Sequence, residues 1–219
     1  MRSAFFGNTD QRLPGHFALQ NPTMLRVRLN GEVLARPGTM VACQGKVDVE
    51  FEGAPLAPPP PPQQHEEPGG IGGIFKRKPQ APPPPAAGGA PLMRCRGQGL
   101  VFLSGDARSV HMFYLEQEAL TVNGTSLLAF DSPLNWDIQS TADAYVTTVH
   151  GTGWVAVTAQ GTPVLLDSGR APTFVDAPSA VCWSADLQIG VNPNGRGGRA
   201  LQLAFQGQGF VLVEAGDPL

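Results

Sequence analysis

Three Gly-x-Gly segments are the first residues whose type and spacing could do chemistry: Gly97-Gln98-Gly99, Gly151-Thr152-Gly153 and Gly207-Gln208-Gly209. Such glycines cradle a phosphate when a helix N-terminus or a nest of amides follows them. Here each copy runs instead into an apolar stretch: Leu100-Val101-Phe102-Leu103, Trp154-Val155-Ala156-Val157 or Phe210-Val211-Leu212-Val213. None carries the Lys and Ser/Thr of a P-loop. The glycines are therefore expected to form tight turns or bulges, where a positive φ or close backbone approach is needed.

Other candidate chemistries fail on spacing. His16, His65, His111 and His150 are scattered, with no His-x-His or His-x-x-Cys pair, so neither a metal nor another cofactor is expected. Ser104, Ser109, Ser184 and Cys182 lack the setting of a nucleophile elbow, and Cys182-Trp183 reads as core. Glu116 and Glu118 read as part of a polar connection before Leu120, and Asn123-Gly124-Thr125 as a hairpin turn. Arg26 and Arg28 alternate along a strand-like run and Arg94 and Arg96 flank Cys95, while Trp136, Trp154 and Trp183 lie elsewhere. Alternating Arg of that kind is a solvated sheet face, not the basic and aromatic interleaving that grips single-stranded nucleic acid. The expectation is a protein that is not an enzyme and for which nucleic acid is an unlikely partner.

The elements that hold these residues have an apolar period of 2. Leu25, Val27 and Leu29 alternate with Arg26 and Arg28, Val47, Val49 and Phe51 with Asp48 and Glu50, and Leu201, Leu203 and Phe205 with Gln202 and Ala204. Half-buried strands give that pattern, so the class is all-β. The first glycines of the three copies stand at 97, 151 and 207, which is 54 and 56 residues apart. A second module alternates with them: Asn30-Gly31 before Leu34-Ala35, Asn123-Gly124 before Leu128-Ala129, and Phe174-Val175-Asp176 before Ala180-Val181. This predicts a pseudo-threefold repeat of short antiparallel strands in one domain over residues 1–219. The last strand, Phe210 to Val213, is expected to pair beside Leu25 to Leu29 and close the ring, which would remove free edges.

One insertion interrupts the repeat. Residues 53–91 hold Pro58, Pro59, Pro60, Pro61, Pro62, Pro82, Pro83, Pro84 and Pro85, and between them Gly69 to Lys78. Polyproline favours the extended, hydrogen-bond-free helix and cannot enter a sheet, so an exposed, disordered loop is expected, with the prolines as candidate docking residues for a protein partner. Ile71, Ile74, Phe75 and Lys76 to Lys78 offer at most a weak peripheral membrane contact. The formal net charge of −3 gives no general attraction to nucleic acid or anionic membrane. Residues 1–20 lack a secretory apolar core, and no run approaches the roughly 18 apolar residues of a membrane helix. Cys43, Cys95 and Cys182 are read as buried free thiols in a reducing compartment, which makes the expected location cytoplasmic.

Arg36-Pro37-Gly38-Thr39-Met40-Val41-Ala42, Gly97 to Leu103, Leu120 to Ala129 and Val181-Cys182-Trp183 together resemble the altered inheritance of mitochondria protein 24 family. Gly72-Gly73-Ile74-Phe75-Lys76-Arg77 resembles that family's glycine and basic turn, here flanked by proline tracts. The resemblance covers nearly all of Leu25 to Val213. It implies a fold like that of the tryptophan RNA-binding attenuation protein, a short-stranded double-stranded β-helix, and it brings no catalytic residues. The family's eukaryotic member is tied to mitochondrial inner-membrane organisation. The function expected is a non-catalytic scaffold or interaction protein that self-associates. The alternative is a module binding a small molecule or RNA in an opening between repeats.

Overall fold

The computed structural model describes residues 16–52, 92–140, 145–192 and 201–215. Apart from one 3-10 turn, Ala177–Ser179, every regular element among the described residues is a strand. In chain order these are β1 (Phe17–Asn21), β2 (Met24–Ala35), β3 (Met40–Glu52), β4 (Leu92–Leu103), β5 (Ser109–Asn123), β6 (Leu127–Asp131) and β7 (Asn135–Ser140). There follow β8 (Tyr145–Ala159), β9 (Val164–Asp167), β10 (Thr173–Asp176), β11 (Ala180–Ser184), β12 (Gln188–Val191), β13 (Gln202–Gln206) and β14 (Phe210–Val213).

All the strand pairs are antiparallel. One 11-stranded sheet runs β3-β4-β2-β6-β8-β5-β11-β14-β9, with β1 on β2 and β7 on β8, and a separate sheet runs β10-β13-β12. The alternation read for β2 is present: Leu25, Val27 and Leu29 are buried while Arg28 and Asn30 are exposed. Three apolar clusters result. One joins Leu25, Val27, Cys95 and Val101 to Leu128 and Ala156. A second joins Phe113, Leu115, Phe130 and Val155 to Val181, Phe210 and Leu212. The third holds Val175, Trp183, Leu187, Phe205 and Val211. At about 1.5–3 kcal/mol for each fully buried side chain, these clusters are the main stabilising term.

The Gly-x-Gly segments are bends inside long strands more than turns between short ones. On β8, β7 pairs with Tyr145 to His150 and β6 with Val155 to Val157, and Gly151 to Gly153 lie at the change of partner. Likewise β1 pairs with the first part of β2 and β6 with Val33 to Ala35, and Gly31 stands between them at φ 128°. At the third copy the bend interrupts the strand: β13 belongs to the small sheet and β14 to the large one, with Gly207 to Gly209 between. The first glycines have φ of 127°, 125° and 120° at Gly97, Gly151 and Gly207. A side chain disfavours that conformation, which is why the bend falls on glycine.

Two expectations are corrected. The ladder partners of β14 are β11 and β9, so the last strand does not pair beside Leu25 to Leu29. Periodicity in the sequence does not fix which edges meet. Glu116 and Glu118 are not in a connection: they lie in the middle of β5, either side of a bulge at Gln117 (φ 59°), whose amide and side chain both donate to Thr152 Oγ1.

Candidate functional site

The candidate docking prolines, Pro58 to Pro62 and Pro82 to Pro85, lie outside the described residues, as do His65 and the basic turn at Lys76 to Lys78. Their flanks are informative, because Glu52 and Leu92 are cross-strand partners in the β3–β4 ladder. Residues 53–91 therefore leave and re-enter the fold at one hairpin end.

The histidines occupy three separate settings. His16 Nε2 lies 2.6 Å from Asp131 Oδ1, and the other oxygen of Asp131 accepts the Trp154 amide at 2.8 Å. The Asp131 hydrogen bond raises the His16 pKa above its ordinary value, against the opposing pull of burial. His111 is on β5, where burial lowers its pKa, and its Nε2 is enclosed with no hydrogen-bond partner. His150 is exposed on β8. Among the described residues no three His, Cys, Asp or Glu side chains are grouped to hold a metal.

The three cysteines are free thiols, but Cys43 is exposed, which corrects the expectation that all three are buried. It sits on β3, an edge strand whose only ladder partner among the described strands is β4, so its apolar neighbours in sequence do not cover it. Burial raises the pKa of Cys95, with a smaller contribution from Cys43, and pushes Cys182 far above the ordinary thiol range. Thiols of that kind are inert, since the thiolate is the nucleophile. The serines serve structure: Ser104 donates to the Thr23 carbonyl at 2.7 Å, and the Phe210 amide donates to Ser184 Oγ at 3.1 Å.

Arg94 and Arg96 are engaged with acids. Both contact Glu32 on the neighbouring strand, and Arg96 also reaches Glu50 Oε2 at 2.9 Å. Arg26 and Arg28 differ, because neither has an ion-pair partner among the described residues. Ladder register sets Arg26 beside Phe102 and Arg28 beside Leu100 on one face. The ties that sequence reasoning missed are long-range: His16 with Asp131, and Arg108 with Glu214, whose Oε2 also accepts the Gln160 amide at 2.6 Å. Neither has a local signature, since the partners are more than 100 positions apart.

A hollow of about 360 Å³ lies between Ser168 to Pro172 and Gln206-Gly207. It opens broadly to solvent, and the one charged side chain in its lining, Arg170, is 86% exposed and paired with Asp167. Apolar side chains are exposed on several strands: Val41 and Phe51 on β3, Val164 on β9, Phe174 on β10, and Ile189 and Val191 on β12. No helix among the described residues is long and apolar enough to cross a membrane.

These features define an antiparallel all-β protein whose accessible chemistry is spread over sheet faces and edges. The chain belongs to the AIM24 family, described as mitochondrial biogenesis AIM24, whose sequence model matches residues 17–215. No curated protein matches the chain in sequence. A crystal structure of a Streptococcus pyogenes protein is similar, with a TM-score of 0.64 and 15% identity over 91% of this chain and 92% of that one. At that identity the likeness is one of fold.

Proposed function

We propose that this AIM24 family member is a non-catalytic scaffold or interaction protein that associates with itself and presents residues 53–91 to a protein partner. The observation that carries the reading is the set of apolar side chains held at the surface on sheet edges, Phe51, Val164, Ile189 and Val191 among them. Where such side chains are neighbours on one face, as Ile189 and Val191 are on β12, uncovered apolar surface marks a contact surface. The closeness of Glu52 and Leu92 supports the insertion as a loop on one hairpin of a single domain. Near-equal φ at Gly97, Gly151 and Gly207 supports three related modules in a pseudo-threefold arrangement like that of the tryptophan RNA-binding attenuation protein. Free thiols at Cys43, Cys95 and Cys182 support a reducing, cytoplasmic setting. The family's description, mitochondrial biogenesis, fits an organising role.

Affinity capture with the intact chain, beside a chain whose residues 53–91 are replaced by a two-residue turn, tests the reading. A partner retained by the first and lost from the second supports docking on the insertion. A chain that captures nothing and sediments as a monomer overturns it.

A second reading, binding of RNA, rests on Arg26 and Arg28 beside Phe102 and Leu100. Cations without acidic partners next to an aromatic ring suit a phosphate backbone and a stacked base. Nucleic acid absorbance that follows the purified protein and is lost on replacing both arginines with Ala would favour this reading.

A further inference from the structure

The small sheet β10-β13-β12 ends in an edge strand unlike the others. All four residues of β12, Gln188-Ile189-Gly190-Val191, are exposed, and its only ladder partner among the described strands is β13. Ile189 lies opposite Phe205 and Val191 opposite Leu203, so both share the face that packs on the core. Phe205 is 0% exposed, yet Ile189 is 47% and Val191 58% exposed, and Leu201, two residues before Leu203, is 56% exposed. The inner face of this sheet thus overhangs its core as an apolar ledge.

Charge separates this short edge from the long β3 edge of the large sheet. β3 carries Lys46, Asp48 and Glu50 along its length, the usual protection of an edge against strand addition. Neither β12 nor β13 contains a charged residue. The glycine is a second, independent sign. A Cβ built on Gly190 would meet nothing within 4 Å, and its φ is not positive, so the chain's own fold does not require glycine there. Glycine weakens a strand, and within one it often marks the close approach of another backbone.

We infer that β12 is a self-pairing edge: two copies of the chain join β12 to β12, antiparallel, about a two-fold axis at Gly190. In that register Ile189 of one copy faces Val191 of the other, and Gly190 faces Gly190. Since Ile189 and Val191 share a face, the two ledges merge into one apolar strip and each three-stranded sheet becomes half of a six-stranded one. The edge complements itself, apolar on apolar with no charge to neutralise, which favours a second copy over a charged partner. An isologous contact of this kind closes after two copies. It is smaller than the standard interface of about 800 Å² per partner, so association is expected in the micromolar range.

This inference rests on the self-association in the proposed function, and the test separates the two. Sedimentation of the full chain is followed up to about 0.2 mM, where a micromolar dimer is populated. The Ile189→Lys/Val191→Lys variant is run beside it, with folding checked by circular dichroism. The native chain is expected to dimerise and the folded variant to bind at least about tenfold more weakly, because the new charges stand directly opposite each other. A native chain that stays monomeric overturns both the self-association and this edge. A native chain that associates, with a folded variant that associates equally, overturns the edge alone, and so does an assembly with an odd number of copies. If the variant fails to fold, Gly190→Cys in a Cys43→Ser background decides the matter. A disulfide-linked dimer under mild oxidation supports the two-fold pairing, and its absence from a folded, self-associating chain rejects it.

Discussion

Glu52 and Leu92 are cross-strand neighbours at the end of the β3–β4 ladder, although residues 53–91 separate them in sequence. A segment that leaves and returns at paired positions closes an existing hairpin. Its length enters only through loop-closure entropy, about 0.6 kcal/mol per doubling. Replacing residues 53–91 with Asn-Gly is therefore expected to leave the melting temperature within a few degrees of the parent. Loss of the cooperative transition would mean that the segment packs against the core.

The bends on β4 are the opposite case. A Cβ at Gly97 would lie 2.1 Å from the Lys46 carbonyl oxygen, at a φ of 127° that side chains disfavour. Both the clash and the strain are borne by backbone, which cannot move aside. Gly97→Ala is expected to destabilise by about 2–4 kcal/mol in chemical denaturation. Gly190→Ala, with open space around it, should stay within about 0.5 kcal/mol. Equal effects would show that the bend is not held by its glycine.

The strands were legible in the sequence where one face is covered and the other wet, as along Leu25 to Leu29. Legibility failed where a strand changes surroundings along its length. The bulge at Gln117 breaks the period of 2 in the middle of β5, so Glu116 and Glu118 read as a connection. Cys43 has apolar neighbours in sequence, but its exposure follows from β3 being an edge, which is a property of the sheet and not of the segment. Gly-x-Gly announced the positive φ of Gly97, Gly99, Gly151, Gly153 and Gly207 without saying that β4 and β8 continue through their copies. Ladder partners such as β14 with β9 and β11, and ion pairs such as Arg108 with Glu214, join segments apart in sequence that only the folded topology brings together.

Asp106 and Ala107 both have left-handed backbone, at φ 52° and 56°, in the turn closed by the Arg108 amide on the Gly105 carbonyl. Two central residues with positive φ are the pattern of a type I′ turn, where Gly is favoured at the second position. Alanine gains nothing from that conformation and pays the Cβ penalty. Ala107→Gly is expected to stabilise by about 0.5–1 kcal/mol, the released strain exceeding the added chain entropy. An unchanged or lowered denaturation midpoint would contradict this.

His16 and His111 give pH dependences of opposite sign. His16 holds its proton more tightly when folded, because of Asp131. Its contribution is complete below the ordinary value of 6.5 and fades as pH rises through the raised value. Burial favours neutral His111, so its contribution is complete above 6.5 and is lost as pH falls through its lowered value. Urea midpoints across this range should show His16→Gln flattening the alkaline limb and His111→Leu flattening the acid limb. His111→Leu should also raise stability at neutral pH, by about 1 kcal/mol, since it removes an enclosed nitrogen that lacks a partner. Identical pH profiles for both variants and the parent would rule these assignments out.

Glu214 ties the end of the described chain to the β4–β5 turn through Arg108, and the same carboxylate oxygen accepts the Gln160 amide. Its own amide donates to the Ser179 carbonyl at 3.0 Å. The carboxylate is 10% exposed and the Arg108 side chain 20%, so water screens the pair poorly. Arg108 Nε is buried without a partner, which makes the guanidinium more dependent on Glu214. Removing one member of such a pair leaves an uncompensated charge and costs about 3–5 kcal/mol when fully buried. With this residual exposure Glu214→Leu should cost about 2–3 kcal/mol, whereas replacing both partners with apolar residues can be nearly neutral. The double variant Arg108→Met/Glu214→Leu is therefore expected to be more stable than Glu214→Leu alone, a non-additivity that a double-mutant cycle reads directly. Additive losses would show that the two side chains act independently and that the Gln160 amide alone accounts for the role of Glu214.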